Sequence, residues 1–115
     1  MTTYAFVAPI RPGKLDDWKT FTKQLTGEKK AEYVASRKRA GITRETAFHQ
    51  KSPMGDLVVV VMDSPGDTAA AVGKLFQSND PFDLWFAKRV EDIHGITGAD
   101  MAKMPANSAH IDWHA

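Results

Sequence analysis

The six residues "LVVVVM", 57 to 62, constrain this chain more than any other stretch. β-branched side chains lose rotamer freedom in a helix and pack well on a pleated surface, so the run predicts a strand. Successive side chains of a strand point to opposite faces. A strand apolar at every position is therefore buried on both faces, and it belongs inside a sheet. Just upstream, "TRETAFHQ" (43 to 50) carries Arg44, Thr46 and Phe48 on one face and Glu45, Ala47 and His49 on the other. The turn residues of "KSPMGD" join the two segments, and together they read as an antiparallel hairpin.

A second strand apolar on both faces opens the chain. In "TYAFVAPI", Tyr4, Phe6, Ala8 and Ile10 alternate with Ala5, Val7 and Pro9, and "RPGK" then turns it. Leu15, Trp18, Phe21 and Leu25 follow at helical spacing, with Gly27 as an interruption, and "EKKAEYVASRKRA" extends the helix or starts another. Gly41 before Ile42 reads as a helix stop with its apolar partner. After the hairpin, Asp67 caps a helix through "DTAAAVGKLFQ". In "NDPFDLWFAKRVEDIHGI", Asp80 is the cap, Pro81 the first helical residue, and Phe82, Phe86, Val90 and Ile93 the buried stripe. Gly95 stops that helix. A loop through "TGADMAKMPANS" follows, and "AHIDWH" alternates as a last strand.

The expected order is β-α-β-β-α-β in one domain, residues 1 to 115. This is the ferredoxin-like α+β arrangement, a four-stranded antiparallel sheet with helices on one face. Its first and third strands are central, which agrees with the two segments that are apolar on both sides. The face without helices still presents apolar side chains, more than a monomer leaves bare. A homodimer, sheet against sheet, is the expected assembly.

Composition closes several doors. Fifteen basic side chains against fourteen acidic leave a formal charge of +1, too little to draw nucleic acid or an anionic membrane. No nucleic-acid motif is present, and no stretch approaches the ~20 apolar residues of a membrane span. Without cysteine there is no disulfide, thiolate ligand or cysteine nucleophile. The N-terminus lacks the pattern of a signal peptide, and a cytoplasmic protein is expected. Glycine-rich phosphate loops, nucleophile elbows and zinc-helix motifs are missing, so neither nucleotide chemistry nor triad hydrolysis has support.

The segments "AGITRETAFHQKSPMGDLVVVV" and "SNDPFDLWFAKRVEDIHGI" resemble the dimeric α/β-barrel superfamily, and more narrowly its small bacterial members of unassigned function. The resemblance covers most of residues 4 to 114. It implies two ferredoxin-like subunits that close their sheets into one barrel, with a pocket between sheet and helices in each. Better-known members of the superfamily oxygenate aromatic polyketides without a cofactor, isomerise lactones, or carry out aldoxime or haem chemistry. Fold alone does not choose among these.

The candidate site residues are few. His49 and His94 titrate near neutral pH and are the candidate acid–base groups. The plainer readings are a hydrogen-bonded strand histidine for His49 and a helix-terminal cation for His94. Trp85 lies off the buried stripe, where it is expected to wall the pocket. Tyr33 and Arg37, four residues apart on a helix, present a phenol and a guanidinium together. They suit an anionic or enolisable ligand, or else a solvated helix face. His110, Asp112 and His114 share one strand face at roughly 7 Å intervals, too far apart for one metal ion, so no metal and no cofactor are expected. The function expected from these residues is binding of an apolar or aromatic small molecule between sheet and helices. One form of it is catalytic, a cofactor-independent monooxygenase- or isomerase-like enzyme, with whether the chain is an enzyme left open. The alternative is a non-catalytic ligand-binding or stress-associated dimer.

Overall fold

A computed structural model describes all 115 residues. Strand β1 (Thr2–Pro9) leads into helices α1 (Leu15–Thr26) and α2 (Lys30–Ala40). The hairpin β2 (Arg44–Ser52) and β3 (Gly55–Ser64) follows, then α3 (Thr68–Phe76), α4 (Pro81–His94) and the short α5 (Gly98–Ala102). The sheet is antiparallel with β3 in the centre, in the order β1-β3-β2. The class is α+β, with the valine run as the central strand.

Local signals account for most of the boundaries. The Asp67 carboxylate accepts from the Ala70 amide, and that of Asp80 accepts from the amides of Phe82 and Asp83. Gly41 and Gly95 both take the left-handed conformation that lets a helix end abruptly. Gly27 separates α1 from α2 for a different reason. A Cβ there would stand 2.8 Å from the Lys23 carbonyl oxygen, so only glycine lets the chain turn so tightly.

The core lies between the inner sheet face and the helices. Tyr4 and Ala8 of β1, and Val58, Val60 and Met62 of β3, meet Phe21 and Leu25 of α1. The α4 stripe of Phe82, Phe86, Val90 and Ile93 closes over them, and all four are buried. The α2 helix has little apolar surface to contribute and is held by polar contacts instead. Arg37 Nε donates to Glu45 Oε1 of β2 at 2.5 Å, and Arg37 Nη1 donates to Ser36 Oγ at 3.0 Å. Ser36 in turn donates to Asp83 of α4, and Arg39 pairs with Asp80 at 3.0 Å and Asp83 at 3.3 Å. Burial alone would raise the Asp83 pKa. The hydrogen bonds from Ser36, Ser78 and Arg39, with the Arg39 charge, outweigh it and hold the carboxyl below its usual value.

Two features depart from the sequence expectation. Residues 98–102, read as loop, form α5, opened by a reciprocal cap between Thr97 and Asp100. Residues 109–114, read as a strand, take no regular structure, and the sheet has three strands. The physical reason lies in where the chain returns. After α5 it meets β1 in mid-strand, with the Tyr4 hydroxyl donating to the Pro105 carbonyl at 3.4 Å and the Asn107 amide donating to the Ala5 carbonyl. An antiparallel partner for β1 would have to start at its Pro9 end.

The outer sheet face carries no helix. Val7, Val59 and Phe48 stand side by side across it in register, and Val7 and Phe48 are each 54% exposed. Ala5, Val61 and Thr46 form the next row.

Candidate functional site: a cavity between sheet and helices

The inner face of the sheet and the α1 and α4 helices do not close completely. A cavity of ≈ 70 Å³ remains, and fourteen of its seventeen lining residues are apolar. The sheet supplies Phe6, Val58, Val60 and Met62, α1 supplies Trp18 and Phe21, and α4 supplies Phe86 and Val90. For scale, an apolar cavity of about 150 Å³ binds benzene, so this smaller space takes one small ring at most.

Thr22, Glu45 and His94 are the polar residues on the wall. His94 is the last residue of α4, and its Nδ1 lies 2.8 Å from the Pro9 carbonyl oxygen. A carbonyl only accepts, so Nδ1 carries the proton and Nε2 keeps its lone pair. Burial lowers the His94 pKa below the ordinary histidine value, and the Pro9 bond only partly offsets this. The ring is neutral at pH 7, so the helix-terminal cation expected from its position does not form. His94 thus brings to the cavity wall a neutral ring of fixed tautomer, with Nε2 as its acceptor.

Glu45 reaches the wall from β2 but is not free. Its carboxylate is paired with Arg37, whose guanidinium lies 4.4 Å from the Phe86 ring centroid and 4.6 Å from that of Tyr33. Arg37 is only 5% exposed, and its Nη2 has no hydrogen-bond partner. Tyr33 is half-buried. Burial, then the Glu45 charge, pushes its phenol far above the usual value despite the opposing Arg37. The Tyr33–Arg37 pair therefore forms at its expected spacing, but the ring covers a buried cation. Neither residue lines the cavity; both face a separate surface groove with Lys38 and Arg44.

His49 and Trp85 also lie away from the cavity wall. His49 is on the inner sheet face, but its Nε2 is 2.8 Å from Asp56 Oδ1 and its ring packs on Trp18 at 5.8 Å. Trp85 packs against Phe21 and Phe82, with the Lys29 ammonium 4.6 Å from its ring centroid. The structure thus brings His94 to the cavity and leaves His49, Trp85, Tyr33 and Arg37 off its wall. Sequence reasoning passed over Glu45 and Met101. Glu45 was legible as the one acid of β2, on the face it shares with Ala47 and His49, and Met101 through the Thr97-x-x-Asp100 cap that starts α5.

The C-terminal residues form no site. His114 Nε2 lies 3.0 Å from Asp112 Oδ1 on an exposed segment, and no group of three or more His, Asp or Glu side chains is arranged to hold a metal ion. No helix is long and apolar enough to cross a membrane. Compared with family models, with curated proteins and with solved structures, the chain matches none.

Proposed function

We propose that this protein is a small-molecule-binding homodimer whose cavity takes a small apolar molecule, one ring at most, bearing a single hydrogen-bond donor. The observation that carries the reading is His94, a neutral acceptor held in one tautomer on a mostly apolar wall. A few placed polar groups in an apolar concavity are the usual composition of a ligand site. The ligand class that satisfies both is a phenol or a similar weakly acidic hydroxyl or N–H compound.

The catalytic form of this reading is cofactor-independent proton abstraction at His94 Nε2 from an acidic ligand, the step an isomerase- or monooxygenase-like enzyme needs. Such an enzyme requires a second free titratable group on the same cavity. Glu45 is the candidate, and its pairing with Arg37 favours binding over catalysis.

The homodimer is supported by the outer sheet face, where Val7, Val59 and Phe48 form an apolar row that no helix covers. A second copy, sheet against sheet, buries this row, the face-to-face arrangement of the dimeric α/β-barrel superfamily that the sequence resembles. The ligand reading is tested by methyl NMR with phenol as the probe. Saturable shifts at Val58, Val60, Val90 and Met101 are expected. Shifts confined to Val7 and Val59 of the outer face, or none at all, overturn it.

A further inference from the structure

The C-terminal segment after Asn107 combines two features that do not fit a free tail. Ile111 and Trp113 are 88% and 80% exposed, and they alternate with His110, Asp112 and His114 as the two faces of a strand do. Beside them, β1 pairs only with β3, and its other edge is capped by side chains alone, Asn107 at the Ala5 carbonyl and His94 at the Pro9 carbonyl, with no strand along it. Unpaired edges are templates for another strand.

The tail is badly placed to use the edge of its own β1. Asn107 meets β1 at Ala5. From there an antiparallel course has only Tyr4, Thr3 and Thr2 left, and it runs out of strand before Ile111. A parallel course has Phe6 to Pro9, but parallel pairing is the weaker kind and Pro9 has no N–H to give. The three residues Ser108 to His110, extended at roughly 3.4 Å each, span about 10 Å, the usual separation of two sheets packed face to face. In a dimer built on the outer sheet face, that step carries Ile111 across to the other copy.

We infer that residues 111–114 form the fourth strand of the sheet in the second copy, pairing with the free edge of that copy's β1. The inference rests on the homodimer proposed above and adds what completes each sheet. Ile111 and Trp113 then extend the apolar layer of Ala5, Val7 and Val59 between the sheets. Asp112 and His114 lie on the opposite side of the added strand. The exchange closes the open edge of β1 and removes two large apolar side chains from water, which a tail on its own chain does not achieve.

The test uses the full chain in a mixed sample, one copy isotopically labelled and the other not. Filtered NOE spectra then read only contacts between copies. Cross-peaks from the Trp113 indole of one copy to Ala5 and Val7 of the other are expected. Trp113 contacts found only within one chain, or none to any β1 edge, overturn the exchange. Removal of residues 109–115 is expected to weaken dimerisation at least tenfold, and an unchanged dimer counts against it. Light scattering on the intact chain separates the two proposals. A monomer sinks the dimer and the exchange together, whereas a dimer without Trp113 contacts between copies sinks the exchange alone.

Discussion

His94 Nδ1 donates to the Pro9 carbonyl at 2.8 Å, joining the last turn of α4 to the end of β1. One bond thus fixes both the position of the ring and its tautomer. It leaves Nε2 as the ring's acceptor, and the consequences can be measured.

The first concerns pH. The His94 pKa is lowered in the folded protein, chiefly by burial, so the unfolded chain binds the proton more tightly. Stability from this group is fully present above the ordinary histidine pKa of about 6.5 and is lost as pH falls from there toward the lower folded value. Urea midpoints between pH 8 and pH 5 are expected to fall for the native chain and to fall less for His94→Gln. Equal slopes for the two would contradict a neutral, buried His94.

A second prediction addresses the buried ion pair. Replacing Arg37 with Met leaves Glu45 charged and without its partner, and the expected loss is about 3–5 kcal/mol. Arg37→Met combined with Glu45→Leu removes both charges and is expected to be more stable than Arg37→Met alone. Denaturation of the two single variants and the double variant forms the cycle. Simple addition of the single losses would mean that Arg37 and Glu45 do not depend on each other.

Phe86 and Trp85 are neighbours with unequal roles. Phe86 is buried among Phe21, Phe76 and Phe82, and Phe86→Ala is expected to cost about 3–5 kcal/mol. Trp85 is half-buried beneath Lys29, and Trp85→Ala should cost less. Chemical denaturation decides, and a larger loss at Trp85 would reverse the assignment.

The outer sheet face supplies a prediction about assembly. Light scattering at micromolar concentration should return about twice the 12.7 kDa chain mass. Val59→Asp, at the centre of the apolar row, should return the chain mass while near-native circular dichroism is kept. A dimer that tolerates a carboxylate at Val59 is built on some other surface.

The parts of the fold legible in the sequence are those set by local chemistry. The hairpin follows from "LVVVVM" beside a half-polar strand, and the ends of α2 and α4 from Gly41 and Gly95. The α4 stripe follows from its spacing. What stayed hidden depends on contacts distant in sequence. Arg37 sits among charges at solvated-helix spacing, and only the approach of β2, eight residues on, reveals it as buried. The 109–114 segment has a strand's alternation, but whether it pairs depends on where the chain re-enters the sheet, which local pattern does not encode. At the site, the residue types suggested His94, whereas its tautomer and neutrality come from Pro9 and from burial. His49 has the same intrinsic chemistry, yet Asp56 and Trp18 engage it away from the cavity wall.

The central claim is that His94 selects a hydrogen-bond donor within an apolar cavity. Calorimetric titration of phenol and of toluene into the native protein and into His94→Leu tests it most directly. The two probes differ little in size, so their affinity ratio isolates the hydroxyl, and any general damage from the substitution cancels in that ratio. A hydrogen bond contributes about 0.5–1.5 kcal/mol, so the preference for phenol over toluene is expected to drop by roughly 2- to 13-fold in His94→Leu. An affinity ratio that is the same in both proteins would contradict the account.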